Sequence, residues 1–123
     1  MENVYIYNRF IGNHIEGFEE RAFFLGQEVS NIKEHLPLFG FKAVRAFSDL
    51  GYYDNELFNQ MFEIIPYGFT IAMSQLLQVG DPTCLEKLSQ KDIKILVIDL
   101  TLNNWPMVYS SKEIYESYMN TAV

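Results

Sequence analysis

The sequence has few of the residues on which most recognisable chemistry depends. Cys84 is the only cysteine, which excludes an internal disulfide and a multi-cysteine zinc site. A lone thiol is typical of proteins from a reducing compartment, and we expect this one to be a small buried residue. His14 and His35 are the only histidines, and neither lies in a metal-binding spacing such as HExxH. We therefore expect no metal site and no cofactor.

Glycine-rich loops and long apolar runs are also absent. The seven glycines are isolated from one another, which excludes a P-loop and a dinucleotide-binding fingerprint. No stretch approaches the roughly 18 apolar residues that span a bilayer. The N-terminal segment MENVYIYNRF has none of the features of a secretory signal. These absences predict a cytoplasmic protein that does not contact a membrane.

The apolar pattern predicts a mainly α fold, a compact bundle of about six helices. The chain has 123 residues, of which 49% are hydrophobic, and this suits one domain over residues 1–123. The clearest helix spans residues 16–36, and further helices are predicted at 41–50, 55–65, 68–79, 82–90 and from Ser110 onwards. A small β element is predicted at residues 3–7 and 93–102, although a short apolar run is ambiguous between strand and helix.

Charge of one sign is missing from the middle of the chain. No lysine or arginine occurs between Ala46 and Glu86, and the net charge is −7. Such a protein is repelled by nucleic acid and by anionic membranes, and it favours a basic partner. In 48-SDLGYYDNELF-58 two tyrosines follow a helix-ending glycine, which places them in a surface turn.

Tyrosines surrounded by carboxylates suit protein recognition, because tyrosine offers a large contact area at little entropic cost. The predicted partner-binding residues are Asp49, Tyr52, Tyr53, Asp54, Glu56, Asn59 and Glu63. The alternative is that both rings cover the core and that the acids cap helices.

The run 48-SDLGYYD-54 resembles the acidic tyrosine-pair segment of the colicin nuclease immunity proteins. The resemblance implies contacts through Asp49, Tyr52 and Tyr53. The sequence departs from that family at Gly51, where the family has an aliphatic residue, and at Asp54, where it has proline. In size and acidity the chain is also similar to other immunity proteins of bacterial toxin systems, including contact-dependent growth inhibition.

The resemblance implies an immunity protein, not an enzyme, that binds and neutralises a cognate toxin domain. A basic nuclease is the expected partner, and no direct nucleic-acid binding is expected. Three alternatives remain open at this point. One is another acidic protein-binding module, such as a phage inhibitor or a nucleic-acid mimic. The second is an enzyme with His14 or His35 beside a carboxylate in a deep pocket. The third is a subunit of a larger complex that exposes residues 105–109.

Overall fold

A computed structural model describes residues 1–12, 17–99 and 106–121, and these residues build a five-stranded sheet with helices on both faces. The strands are β1 (Glu2–Arg9), β2 (Phe41–Asp49), β3 (Thr70–Met73), β4 (Lys94–Val97) and β5 (Met107–Ser110). The helices are α1 (Phe18–His35), α2 (Glu56–Ile64), α3 (Pro82–Gln90) and α4 (Ser111–Thr121). Two 3₁₀ turns cover Leu36–Phe39 and Leu76–Val79.

The strand order is β2-β1-β3-β4-β5. The first four strands are mutually parallel, and β5 pairs antiparallel with β4. β1 therefore lies inside the sheet with a neighbour on each side. Its near-continuous apolar sequence fits a strand that is buried on both faces.

Two separate cores lie on the two faces of the sheet, because successive side chains of a strand point in opposite directions. The core beneath α1 contains Val4, Ile6, Ile32, Leu36, Ala72, Leu96 and Ile98. The core beneath α2, α3 and α4 includes Tyr7, Phe47, Phe58, Met61, Ile71, Leu88 and Ile95. None of the helices in the described ranges is long and apolar enough to cross a membrane.

The prediction of a mainly helical bundle is wrong, since two of the predicted helices are strands. Residues 41–49 form β2, and residues 68–79 contain β3 followed by a 3₁₀ turn. In β2 the pairing with β1 shifts by one residue, so that Val44 has no partner, and the alternation of burial is interrupted by three exposed residues at 44–46. In β3 all four residues are buried, which leaves no alternation to detect.

The other predicted elements coincide with elements of the fold, although their bounds differ. β1 contains the strand predicted at residues 3–7, and β4 lies within the run predicted at 93–102, of which residues 100–102 fall outside the described ranges. The helices α1, α2, α3 and α4 occupy four of the six predicted helical segments. The single domain over residues 1–123 stays a prediction.

Candidate functional site

The candidate site lies where β1 and β3 end, side by side in the sheet. From β1 the chain crosses to β2 through α1 on one face, and from β3 it crosses to β4 through α3 on the other face. In a parallel sheet this reversal leaves a crevice at the carboxyl ends of the strands, where ligands commonly bind. Two groups of polar side chains occupy this end of the sheet, one on each face.

On the α1 face, a connected hydrogen-bond network, which we call the Glu28 cluster, consists of Asn8, Glu28, Ser48, Ser74 and Gln78. Glu28 is the common acceptor: its Oε1 accepts from Asn8 Nδ2 at 3.0 Å and from Gln78 Nε2 at 2.7 Å. Its Oε2 accepts from Ser74 Oγ at 3.0 Å. Ser48 Oγ donates to Asn8 Oδ1. Glu28, Ser48 and Ser74 are only half-buried, so a ligand can reach them.

Within the Glu28 cluster, the hydroxyl group of Ser74 lies against the carboxylate of Glu28. The hydroxyl group of Ser74 has one proton, and two acceptors lie 3.0 Å from its oxygen, Glu28 Oε2 and Gln78 Oε1. A hydroxyl group beside a carboxylate can lose its proton as it attacks an electrophile. Asn8 and Gln78 are buried, and by donating to Glu28 Oε1 they fix the orientation of the carboxylate.

On the opposite face, Arg9 is 1% exposed, and its N–H groups donate hydrogen bonds to acceptors within the protein. Its Nε donates to the carbonyl of Gln78 at 2.9 Å and its Nη2 to that of Val79 at 3.2 Å. Its Nη1 donates to the carbonyl of Tyr52 at 2.6 Å and to Asn55 Oδ1 at 2.8 Å. Because a buried cation is costly unless its donors are satisfied, these bonds assign Arg9 to the framework of the fold. We call this group the Arg9 cluster, with the members Tyr7, Arg9, Asp49, Asn55 and Cys84.

Gly80 makes room for the Arg9 guanidinium. A Cβ atom at this position would lie 2.7 Å from Arg9 Cζ, closer than van der Waals contact permits. Its φ angle of +101° is also in the region that favours glycine. The absence of a side chain is therefore required here on two counts.

Asp49 is part of this framework and does not lie on the surface. It is completely buried, and its carboxylate accepts from Tyr7 Oη at 2.5 Å and from two backbone N–H groups in the first turn of α2 at 2.8 and 3.0 Å. Asp49 thus caps α2, and Asp54 Oδ1 accepts from a further N–H group of the first turn, Glu56 N, at 3.1 Å. Burial and the bond to Asp49 raise the pKa of Tyr7. The predicted surface position of Asp49 is therefore wrong.

The tyrosine pair does lie in a surface turn, as predicted. Tyr53 is 86% exposed and Tyr52 is half-buried, and their ring centroids lie 5.1 Å apart in an edge-to-face arrangement. The remaining predicted residues are exposed: Asp54, Glu56, Asn59 and Glu63. Asn59 Oδ1 accepts from Lys87 Nζ at 3.0 Å. The role of these side chains in binding a partner stays a prediction.

The other residues considered in the sequence do not form a reactive centre in the described ranges. Cys84 is buried, as predicted, and burial, followed by the charge of Asp81, raises the pKa of its thiol to about 11. His35 contacts the Asn31 carbonyl of its own helix, with Nδ1 at 2.8 Å. His14, Glu16 and Trp105 lie outside the described ranges. No three potential metal ligands come together among residues 1–12, 17–99 and 106–121.

Sequence reasoning did not identify Arg9, Glu28, Ser74 or Gln78. The available signal was polar residues placed directly after buried strands, namely Asn8 and Arg9 at the end of β1 and Ser74 after β3. Because the apolar pattern of residues 68–79 predicts one helix, it gives no strand end before Ser74.

Comparisons with known proteins identify the fold. No protein-family model and no curated protein matches the chain. A resolvase family site-specific recombinase from Streptococcus pneumoniae matches with a TM-score of 0.65 and 14% identity, covering 99% of this chain and 88% of that chain. The C-terminal catalytic domain of an IS607-like serine recombinase matches with a TM-score of 0.59 and 12% identity, covering 97% and 79%. At this identity the matches establish a shared fold.

These matches correct the functional interpretation of the sequence. Three functional predictions are wrong, because the same fold occurs in the catalytic domain of an enzyme. They are the prediction of a helical immunity protein, its alternative of an acidic inhibitor or nucleic-acid mimic, and the prediction that the protein is not an enzyme. The similarity of SDLGYYD to the immunity proteins is local, and it joins the end of a strand to a turn. The described chain has the fold of the resolvase and serine recombinase catalytic domains.

Proposed function

We propose that the chain is a phosphoryl-transfer domain of the recombinase type, in which the hydroxyl group of Ser74 attacks a phosphodiester of DNA. The observation on which this proposal depends is the 3.0 Å contact between Ser74 Oγ and Glu28 Oε2 at the carboxyl ends of the central strands. The fold supports the same class of reaction, since one matched structure is the catalytic domain of a serine recombinase.

The reaction begins when Ser74 Oγ forms a bond to phosphorus while Glu28 takes the hydroxyl proton. The bond from phosphorus to one bridging oxygen breaks, and the departing alcohol keeps the bonding electrons and receives a proton. The product is a phosphodiester that joins Ser74 to the rest of the substrate. Attack by an alcohol on this ester reverses the step and frees Ser74, so each bond that breaks is replaced by an equivalent one.

The surrounding residues have supporting roles. Asn8 and Gln78 hold the carboxylate of Glu28 with its Oε2 towards Ser74. Phosphoryl transfer also needs positive charge near the phosphate oxygens. Arg21 lines a crevice of about 540 Å³ at the same end of the sheet, together with Tyr52 and Tyr53, and it brings a positive charge to this crevice. We assign to Arg21 the role of contacting the phosphate.

The net charge of −7 opposes DNA binding by this chain on its own. The chemistry is therefore best tested with a small diester, bis(4-nitrophenyl) phosphate, which separates bond breaking from DNA affinity. Attack by Ser74 releases one 4-nitrophenolate, which absorbs visible light, and leaves a nitrophenyl phosphate on the protein. We expect about one equivalent of release, and we expect peptide mass spectrometry to locate the added mass on Ser74.

Ser48→Ala is the matched control for Ser74→Ala. Both serines are half-buried members of the Glu28 cluster, but Ser48 donates to an amide oxygen, whereas Ser74 donates to a carboxylate. We expect Ser74→Ala to abolish labelling and Ser48→Ala to retain it. Equal release by wild type and Ser74→Ala, or label on Ser48, would overturn the assignment of the nucleophile.

The DNA substrate needs a separate experiment. Supercoiled plasmid that contains the chromosomal sequence flanking the coding region is incubated with the protein and stopped with detergent. We expect a covalent protein–DNA adduct that is absent with Ser74→Ala. Labelling of Ser74 by the small diester without any such adduct would confine the activity to phosphodiesters other than the tested DNA.

A further inference from the structure

A cavity of about 590 Å³ lies among the 3₁₀ turn Leu76–Val79, α3 and α4, on the side of the sheet away from α1. Most of its wall is apolar and includes Leu76, Val79, Leu85, Ile95 and Ile114. The volume falls within the range of roughly 300–1,000 Å³ that is typical of small-molecule sites. No member of the Glu28 cluster lines this cavity, although Tyr52 and Leu77 line both it and the crevice that contains Arg21.

The cavity is an open cleft rather than a closed void. Its rim includes Leu77 and Tyr118, which are partly exposed, and its lining also includes the buried side chains of Leu85 and Ile95. Small-molecule sites are typically such clefts, with mostly apolar walls and a few fixed polar groups. An apolar guest that covers these walls removes apolar surface from water, which is favourable.

One charged residue, Asp81, stands among the described residues that line the cavity. Its Oδ1 accepts from Cys84 N at 3.0 Å, so the carboxylate caps α3 and has a fixed position. The same backbone bond lowers the pKa of Asp81, which keeps the group ionised at neutral pH. A ligand therefore meets a negative charge at one point of an otherwise apolar wall.

We propose that this cavity binds a small apolar molecule with a protonated amine, its hydrocarbon part against the aliphatic wall and its ammonium group beside Asp81. The carboxylate disfavours fatty acids and phosphorylated ligands of the same size, because like charges repel in a partly desolvated site. The charge on Asp81 thus favours a cationic head group, and the aliphatic walls favour a hydrocarbon tail.

Three ligands with the same tail test the selection: octylamine, octan-1-ol and octanoate, each titrated into the full chain by calorimetry at pH 7. We expect octylamine to bind about tenfold more tightly than octanoate, since attraction and repulsion at a partly exposed site each contribute up to about fivefold. Octan-1-ol should fall between them. Absence of binding by all three, or binding of octanoate as tight as that of octylamine, would overturn the proposal.

Two variants connect the binding to this cavity. Asp81→Asn retains a side chain that caps helices well but removes the charge, so we expect the preference for octylamine over octanoate to disappear. Ile114→Trp fills the cavity and should weaken all three ligands, whereas Leu38→Trp, at a position that is 75% exposed, should change none. A preference that survives Asp81→Asn would contradict the proposal even if Ile114→Trp does not fold. None of these measurements involves Ser74, so they are independent of the proposed reaction.

Discussion

The Arg9 cluster and the Glu28 cluster lie on opposite faces of one strand, at the same end, and differ in how much hydrogen-bonding capacity remains. Arg9 is buried, and its donors are taken by backbone and side-chain acceptors. Glu28 and Ser74 are half-buried, and one hydroxyl proton faces two acceptors. The difference shows that a cluster of polar side chains is not by itself evidence of a ligand-binding or catalytic site. A saturated buried group stabilises the fold, and a partly exposed group with spare capacity can act on a ligand.

Asn8 belongs to the Glu28 cluster and its neighbour Arg9 to the Arg9 cluster. They are adjacent in the sequence, and the alternation of a strand sends one side chain to each face. The comparison therefore predicts that substitutions on the Arg9 side change stability, whereas substitutions on the Glu28 side change chemistry.

The largest expected effect is that of Arg9→Met. It leaves the carbonyl acceptors of Gln78, Val79 and Tyr52 without their donor. Each buried acceptor left unsatisfied costs about 1–3 kcal/mol, so we expect a total loss of about 3–5 kcal/mol. Urea denaturation measures the free energy of unfolding. Lys42→Met, which removes an exposed cation, should change it by less than about 0.5 kcal/mol. Equal changes in the free energy of unfolding for the two substitutions would contradict the structural role assigned to Arg9.

The next effect is that of Gly80→Ala, for which we expect a loss of about 2–3 kcal/mol from the positive φ and the contact with Arg9. Gly26→Ala is the matched control. Gly26 lies within α1, and an added Cβ there meets nothing within 4 Å. This substitution should stabilise the protein by about 0.5–1 kcal/mol, because alanine favours the helix. Thermal denaturation of both variants tests whether Gly80→Ala lowers and Gly26→Ala raises the melting temperature.

Asp81 shares features with both clusters, since it is only partly buried but serves as a cap. Its pKa is lowered by folding from an ordinary value of 3.8, so its contribution to stability is complete above that pH and is lost as pH falls through the folded pKa. Asp81→Ala should cost about 1 kcal/mol at pH 7. The difference from wild type should shrink below about pH 4 in a series of denaturation curves. A difference that is constant down to pH 2 would contradict this role.

Among the members of the two clusters, the smallest effect on stability is expected for Ser74→Ala. Its hydroxyl is half-buried and is one of three donors to Glu28, so we expect a loss of less than about 1 kcal/mol. The same variant should lose all labelling by the small diester. A loss of stability comparable with that of Arg9→Met would assign Ser74 to the framework and would erase the contrast between the two faces.

Much of the helical structure could be predicted because its signals are local. The spacing of Leu25, Val29 and Ile32 indicates α1, and the pair Asp81-Pro82 correctly places the beginning of α3. β2 could not be recognised, because its bulge at Val44 places apolar residues at a spacing that resembles a helix. β3 is short and buried on both faces, and such a run is ambiguous by periodicity.

The candidate site could not be predicted, because no local signal joins its members. Asn8, Glu28 and Gln78 are far apart in the sequence and meet only when β3 takes its place beside β1. The acidic tyrosine segment attracted attention because its features are contiguous. Its buried member, Asp49, is shown by the fold to hold α2 and Tyr7 in place.

The position of β1 has a consequence for synthesis on the ribosome. This strand emerges before its pairing partners, which are residues 41–49 on one side and residues 70–72 on the other. Its apolar side chains on both faces, among them Val4 and Tyr7, therefore stay unpaired in the nascent chain until residues 70–72 have been translated. A pairing with such long sequence separation forms slowly, and a chaperone that shields an extended apolar segment would act at this stage.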